Sequence, residues 1–276
     1  KAVYSLEDVL ARLVDGSEHL EFRPGFGPEV YTGLVKLDGL LVGVAGNRQG
    51  LLGTSYPEYT TDYIGIGGKL YRQGLIKLSE FVTHCGRDRV PIVWFQDTTG
   101  IDVGDTAEKA ELLALGQSLI YSIEQTGVPM MLVVLRKGTA AAHYVMGGPT
   151  ANNHNAFTLG TPSTEIVVMH GETAAVASFS RRLVREQDAG RPLAPVIEQM
   201  NALAQQYREE SRPIHCATRG FVDEVVPYEA LRGYLTAFAG AVYQNPASIC
   251  APHHMLLPRL IRSQVVRGQE RPKKAR

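Results

Sequence analysis

The stretch that most constrains the fold runs from Val128 to Gly148. Val128-Pro129-Met130-Met131-Leu132-Val133-Val134-Leu135 is an apolar run of strand length, and it changes in one step to Arg136-Lys137-Gly138-Thr139-Ala140-Ala141-Ala142-His143-Tyr144-Val145-Met146-Gly147-Gly148. An apolar run without alternation reads as a buried strand, and the switch to small residues reads as a tight strand-to-helix turn whose backbone lies bare. The first amides of such a helix have no intrahelical acceptor. The turn is therefore either a place of close packing or a place to hold an anion or oxyanion.

The same unit recurs on both sides. Pro91-Ile92-Val93-Trp94-Phe95-Gln96 is a buried strand by composition; it closes on the Asp97–Gly104 turn, and a helix runs from Asp105 or Thr106 to about Gln125. Downstream, Glu165–Met169 is a strand, His170-Gly171 a turn and Glu172–Arg185 a helix. Successive strand, glycine turn and helix units imply parallel strands with right-handed crossovers. Ahead of them, residues 4 to 14 form a short amphipathic helix capped by Ser5, and Asp38-Gly39 between two apolar runs marks a hairpin. Gly46–Gly68, with Tyr56, Tyr59 and Tyr63, reads as a surface loop. Its Gly65–Leu70 end fails the phosphate-loop pattern, with Tyr63 and Leu70 where Gly and Ser/Thr belong, and reads as entry to a helix over Lys69–Arg87. The remainder reads as a helix to about Glu210, a strand over Phe221–Val226 and a helix over Pro227–Tyr243. No linker interrupts the chain, so one domain is expected over residues 1–257, followed by a basic tail over 258–276.

Formal charge is balanced, 28 basic against 28 acidic residues, which argues against a nucleic-acid partner. Three cysteines, far apart and outside any CxxC pair, fit a reducing, cytoplasmic setting. No apolar run approaches the 18 residues of a membrane span. The chain begins at Lys1, and a processed, split or truncated polypeptide is expected.

No GxSxG elbow, HExxH helix or EF-hand loop is present, and His143 and His253-His254 lack companion ligands, so no metal site is expected. Asp97 and Asp102 could act as bases or could cap the turn that follows the strand. The recurring glycine turns suit an enzyme that stabilises an enolate or ureido oxyanion with peptide N–H groups.

Three ordered motifs, Phe95–Gly104, Leu135–Met146 and Thr164–Glu172, together with Tyr243–Cys250, resemble the carboxyltransferases of biotin-dependent acyl-CoA carboxylases and decarboxylases, most of all the glutaconyl-CoA decarboxylase branch. The resemblance implies an α/β, crotonase-like (ClpP/crotonase) fold of repeated ββα units, and it covers only the C-terminal, biotin-binding half of such enzymes. It implies that the amides of Ala141 and Ala142 form an oxyanion hole for the ureido oxygen of biotin carried on a separate carrier protein. Gly100, Ile101, Gly104, Thr139 and Ala140 would line the biotin site, and His143 and Tyr144 the acyl pocket. Where much of the family has Gly-Gly-Ala, this chain has Ala140-Ala141-Ala142. Implied partners are an acyl-CoA, the biotin carrier, an N-terminal carboxyltransferase half, further copies of the chain and a membrane decarboxylase subunit that would hold it peripherally at a membrane. The alternatives are a stand-alone crotonase-type hydratase or hydrolase using Asp97, Asp102 or Glu172 as base, and a non-catalytic half that builds an oligomer.

Overall fold

The computed structural model describes residues 3–55 and 64–247. In chain order the elements are α1 (Leu6–Leu13), β1 (His19–Glu21), β2 (Val30–Leu37), β3 (Leu40–Asn47), β4 (Leu51–Ser55), β5 (Ile64–Ile66), β6 (Lys69–Leu70), α2 (Arg72–Asp88), β7 (Ile92–Thr98), β8 (Gly100–Ile101), α3 (Asp105–Lys109) and α4 (Leu112–Thr126). The second part adds β9 (Met130–Thr139), α5 (Ala140–Val145), β10 (Asn155–Gly160), β11 (Glu165–Val167), α6 (Gly171–Asp188), α7 (Ala194–Glu210), α8 (Pro213–Thr218), β12 (Glu224–Val225) and α9 (Leu231–Gln244). Tyr56, Tyr59, Tyr63, Cys250, His253-His254 and the 258–276 tail lie outside the described residues.

One sheet organises the molecule, in the order β1-β2-β3-β7-β9-β10-β12, with β11 also on β9. The expected hairpin is present: Asp38 and Gly39 both take positive φ (53° and 77°), as a two-residue primed turn requires, and β2 and β3 pair antiparallel through it. From β3 through β7, β9 and β10 to β12 the pairing is parallel, as the repeated units imply. Strand β7 is buried at every residue because both faces of the sheet are covered. Ile92 and Trp94 face a core under α2, α4 and α5, while Val93 and Phe95 face a second core under α1 and α9.

Strand β9 is ten residues long because it serves two neighbours on one edge. Its first half pairs with β10, and its end pairs with β11, Val167 standing opposite Thr139. β11 is three residues long where the sequence reads as five, and it pairs with Lys137–Thr139 at the end of β9. Two other expectations are corrected. The single helix over 105 to 125 is two helices, broken where Glu111 takes φ 61°, so that Leu112 turns into the core and Leu113 stays outside. The 221–226 strand shrinks to Glu224–Val225; at Asp223 the backbone N–H still donates to the Thr158 carbonyl (2.8 Å), but the carboxylate, in place of a carbonyl, accepts the Thr158 N–H (2.7 Å). The described ends of the expected 46–68 loop form the β4–β5 pair. Lys69–Leu70, which reads as the entry of a helix, pairs instead with β8.

Helices α6 and α7 pack on each other, with few and mostly small residues buried along them. A Cβ on Gly171 would stand 2.5 Å from the Ala204 carbonyl oxygen, so glycine there lets the start of α6 rest on the α7 backbone.

Candidate active site

The C-terminal ends of parallel strands are where an α/β sheet opens, and here the ends of β7, β9 and β11 border a cleft of about 740 Å³. One wall is the chain after β7, Thr99–Val103, with Ala107 and Glu108 of α3 and the start of α4 beside it. The opposite wall is Thr139–Ala141, continued by Val168–His170 and Thr173.

The β7 side is held by its neighbours. Thr98 donates from Oγ1 to the Gly68 carbonyl (2.9 Å), the Thr99 N–H donates to the same oxygen (2.7 Å), and the Asp102 N–H donates to the Leu70 carbonyl (3.0 Å). Asp102 reaches the cleft but accepts from Lys69 Nζ at 2.8 Å. Asp97 is buried beside the junction. Its Oδ2 accepts from Arg136 Nε at 2.8 Å and its Oδ1 from the Lys137 N–H at 3.2 Å, so it ties β7 to β9 and does not line the cleft. Glu172 is exposed and ion-paired with Arg208; its own backbone N–H, and then Arg208, hold its carboxyl below the usual range.

The β9 side is different. Thr139 has extended backbone (φ −109°, ψ 124°), the conformation of a residue that caps a helix, yet its hydroxyl makes no capping bond. Oγ1 of Thr139 is buried without a hydrogen-bond partner. Ala140 follows at φ 48°, a left-handed conformation costing a side-chain-bearing residue about 1 kcal/mol or more. This kink sends the chain from strand to helix in one residue and leaves the first amides of α5 without an intrahelical acceptor.

Behind the turn the packing is tight. Gln96 donates from Nε2 to the carbonyls of His143 (3.1 Å) and Met146 (3.2 Å), and its Oε1 lies 2.7 Å from His143 Nδ1. Because that oxygen only accepts, Nδ1 carries the proton. Burial pushes the His143 imidazole down to about 4, so it is neutral near pH 7. Gly138 is required by the same contact: a Cβ there would stand 2.8 Å from His143 Nδ1.

The structure therefore gathers Gly100, Ile101, Thr139, Ala140 and Ala141 on one cleft. The other four expected site residues are not on its wall. Gly104 opens α3 beyond Val103, the Ala142 methyl is in the core, His143 turns inward on Gln96, and Tyr144 points to solvent from α5. What the site reading of the sequence missed is Leu112 and Leu113, Val168 and Met169, and His170 and Thr173. The first pair was hidden by the break at Glu111; the recurrence of a third glycine turn at His170-Gly171 was the available signal for the last. The cleft rim is strongly apolar, with Val103, Leu113 and Val168 at 81%, 77% and 75% exposure. Among the described residues no group of three or more His, Cys, Asp or Glu could hold a metal ion.

This arrangement, an apolar cleft at parallel strand ends with the first residues of α5 on one wall, can bind a flat, partly polar ring. The carboxyl transferase domain family matches residues 1–257. The chain belongs to that family. Over 263 residues this carboxyl transferase domain is 60% identical to the glutaconyl-CoA decarboxylase subunit alpha of Acidaminococcus fermentans, a match covering 95% of this chain and 45% of that protein. It is 26% identical over 257 residues to the propionyl-CoA carboxylase beta chain of Saccharopolyspora erythraea, covering 92% of this chain and 43% of that one. Among solved structures, the transcarboxylase 12S hexamer with methylmalonyl-coenzyme A bound superposes with a TM-score of 0.71 at 25% identity, over 94% of this chain and 44% of that one. The beta subunit of Pseudomonas aeruginosa geranyl-CoA carboxylase shares the fold, with a TM-score of 0.71 at 23% identity over 91% of this chain and 43% of that one. The fold is thus the crotonase-like α/β fold of the carboxyltransferases. The chain spans less than half the length of each of these relatives.

Proposed function

We propose that this carboxyl transferase domain is the biotin-side half of a biotin-dependent acyl-CoA carboxyltransferase acting on a glutaconyl-CoA-like substrate. The observation that carries the reading is the turn Thr139–Ala141, with an uncapped helix start and a buried, unpartnered hydroxyl on the wall of an apolar cleft. The residues fit biotin. Its ring and thioether would lie against Ile101, Leu112 and Met169, and its polar ureido group would meet the β9 turn.

Biotin, when bound, supplies a ureido nitrogen that can carry a carboxyl group. The chain's own contribution is to place that group and to polarise it. The N–H groups of Ala141 and Ala142 donate to the oxygen on which negative charge develops, and one such donor is worth about 3–4 kcal/mol in the transition state. The strain at Ala140 aims those donors before anything binds, so no reorganisation is needed during the step. His143, Gln96 and Asp97 brace the turn from behind. Gly104 and Tyr144 stand next to the walls, where a partner could complete them.

The apolar rim and the coverage of less than half of the relatives support a second element of the reading. An N-terminal carboxyltransferase half, from this or an opposing protomer, covers the cleft and brings the acyl-CoA. In this proposal a biotin carrier protein delivers the cofactor, the domain proper ends near residue 257, and the chain works in an oligomer. No helix among the described residues is long and apolar enough to cross a membrane, so any decarboxylase subunit in a membrane would be a separate partner.

Titration with free biotin and, separately, with an acyl-CoA tests the reading. Biotin alone should bind the 276-residue chain, and turnover should require the other half. Binding of acyl-CoA alone would favour a hydratase or hydrolase; robust turnover by the isolated chain would remove the two-half proposal.

A further inference from the structure

Gln96 sits in a strand buried at every residue and has no exposure of its own. A carboxamide in such a place is costly unless each of its hydrogen-bonding groups finds a partner. Here they all find partners on one helix. The two N–H bonds of Nε2 go to the carbonyls of His143 and Met146, at 3.1 and 3.2 Å, and Oε1 accepts from His143 Nδ1 at 2.7 Å. The two carbonyls decide which way the carboxamide is turned, since the reverse orientation would set an oxygen against them both.

That helix, α5, is six residues long, too short to hold its shape by its own hydrogen bonds. Its start gets no help from Thr139, whose hydroxyl makes no cap bond, and Ala140 is strained there at φ 48°. A side-chain-bearing residue stays in the left-handed region only where its surroundings over-determine it. On one side of Ala140 the restraint is the sheet, in which Thr139 stands opposite Val167 of β11. On the other side the end of α5 is fixed to β7. Gln96 holds the His143 and Met146 carbonyls, and Gly147, at φ 76°, lies so close to Trp94 that a Cβ would stand 2.6 Å from Cδ1. Gly138 lets β9 approach the same clamp, since a Cβ there would stand 3.0 Å from Gln96 Oε1. For Ala140 to relax, one of these ends has to let go, and the polar hold on the far end is supplied by a single side chain.

We propose that Gln96 is the positioning residue of the cleft: by clamping the far end of α5 it keeps Ala140 left-handed and the β9 turn in its biotin-binding form before biotin arrives. The inference rests on the biotin reading above. Gln96 is itself off the cleft wall, so its effect on the reaction is carried by α5.

Two measurements test it. In the wild-type chain, the backbone chemical shifts of Ala140 and its amide-to-Hα coupling should report a left-handed residue without ligand. They should stay in place when free biotin is added, while the Ala141 amide shifts on binding. A left-handed Ala140 that appears only with biotin overturns the clamp and leaves the biotin reading standing. An Ala141 amide that biotin does not move removes the biotin reading, and the proposal with it.

The second measurement uses Gln96→Leu, which keeps the size of the side chain and loses all three bonds. Free biotin should bind it about tenfold or more weaker. In the full-length enzyme with its partner half, kcat should fall by roughly tenfold or more while KM for the acyl-CoA changes little. Adding Ala140→Gly to Gln96→Leu should recover much of the lost affinity, because glycine takes positive φ without strain. A packing role alone would lower Tm and leave the biotin affinity of the folded Gln96→Leu protein within about threefold of wild type, and that result overturns the proposal.

Discussion

Among the described residues, two helices start behind a Ser or Thr in extended conformation, and they start differently. At α1, Ser5 accepts the N–H of Asp8 at 3.1 Å, the ordinary closure of a helix end. At α5, Thr139 has comparable backbone angles and the same chemistry available, yet its Oγ1 stays buried and unbonded, and Ala140 is forced into the left-handed region. The Ser5 end is optimised for the helix. The Thr139 end gives up local stability, which is the pattern expected where backbone donors are reserved for a ligand.

The largest expected effect separates the two starts by activity. Ala141→Pro, at an exposed position in the first turn, removes one N–H without a buried cavity; carboxyl transfer by the assembled enzyme should fall by roughly 100- to 1000-fold while circular dichroism and Tm remain close to wild type. Full activity in a folded Ala141→Pro enzyme would remove the oxyanion assignment.

Next in size is a pH effect confined to the underside of the open turn. His143 is held at about 4 by burial, below its ordinary 6.5, so the unfolded chain binds more protons in between. Stability from this group is present above pH 6.5 and is lost as pH falls toward 4, by up to about 3 kcal/mol. Chemical denaturation of wild type and His143→Gln across pH 4 to 7 should show a shallower slope in the variant; parallel slopes would mean that the ring is not buried as described.

The last pair compares the caps themselves. Thr139→Val keeps shape and deletes the unbonded hydroxyl, so stability should be unchanged or slightly higher, while biotin binding weakens by about tenfold if the hydroxyl bonds the ligand. Ser5→Ala should do the reverse, losing about 1 kcal/mol of stability in urea titration with no change in biotin affinity. Equal behaviour of the two variants would erase the distinction between the starts.

Much of this architecture is legible in the residues. The Asp38-Gly39 hairpin, the Ser5 cap, the buried strands ending at Gln96 and Leu135 and the glycine turns after them all follow from local chemistry. Parallel pairing follows from their repetition, and five of the nine expected site residues meet on one cleft. What escaped the sequence depends on long-range fit. Nothing local to Glu111 announces a left-handed break in a helical pattern, and the three-residue extent of β11 appears only in its pairing with the end of β9. The resemblance implies an acyl-pocket place for His143; its ring turns toward Gln96, 47 residues earlier, whose Oε1 meets it from the adjacent strand. His170 reads as part of a turn, and only the fold brings it to the wall of the cleft.

If the amides at the Thr139 end are kept for biotin, they are open to water until biotin arrives. Residue-resolved hydrogen exchange of Ala141 and Ala142, with Asp8 as the internal reference, measured without and with saturating free biotin, answers that. The predicted result is rapid exchange at Ala141 and Ala142 that slows markedly on adding biotin, while Asp8 exchanges at the same rate throughout. Protection at Ala141 and Ala142 that is already high, or that biotin leaves unchanged, would contradict it.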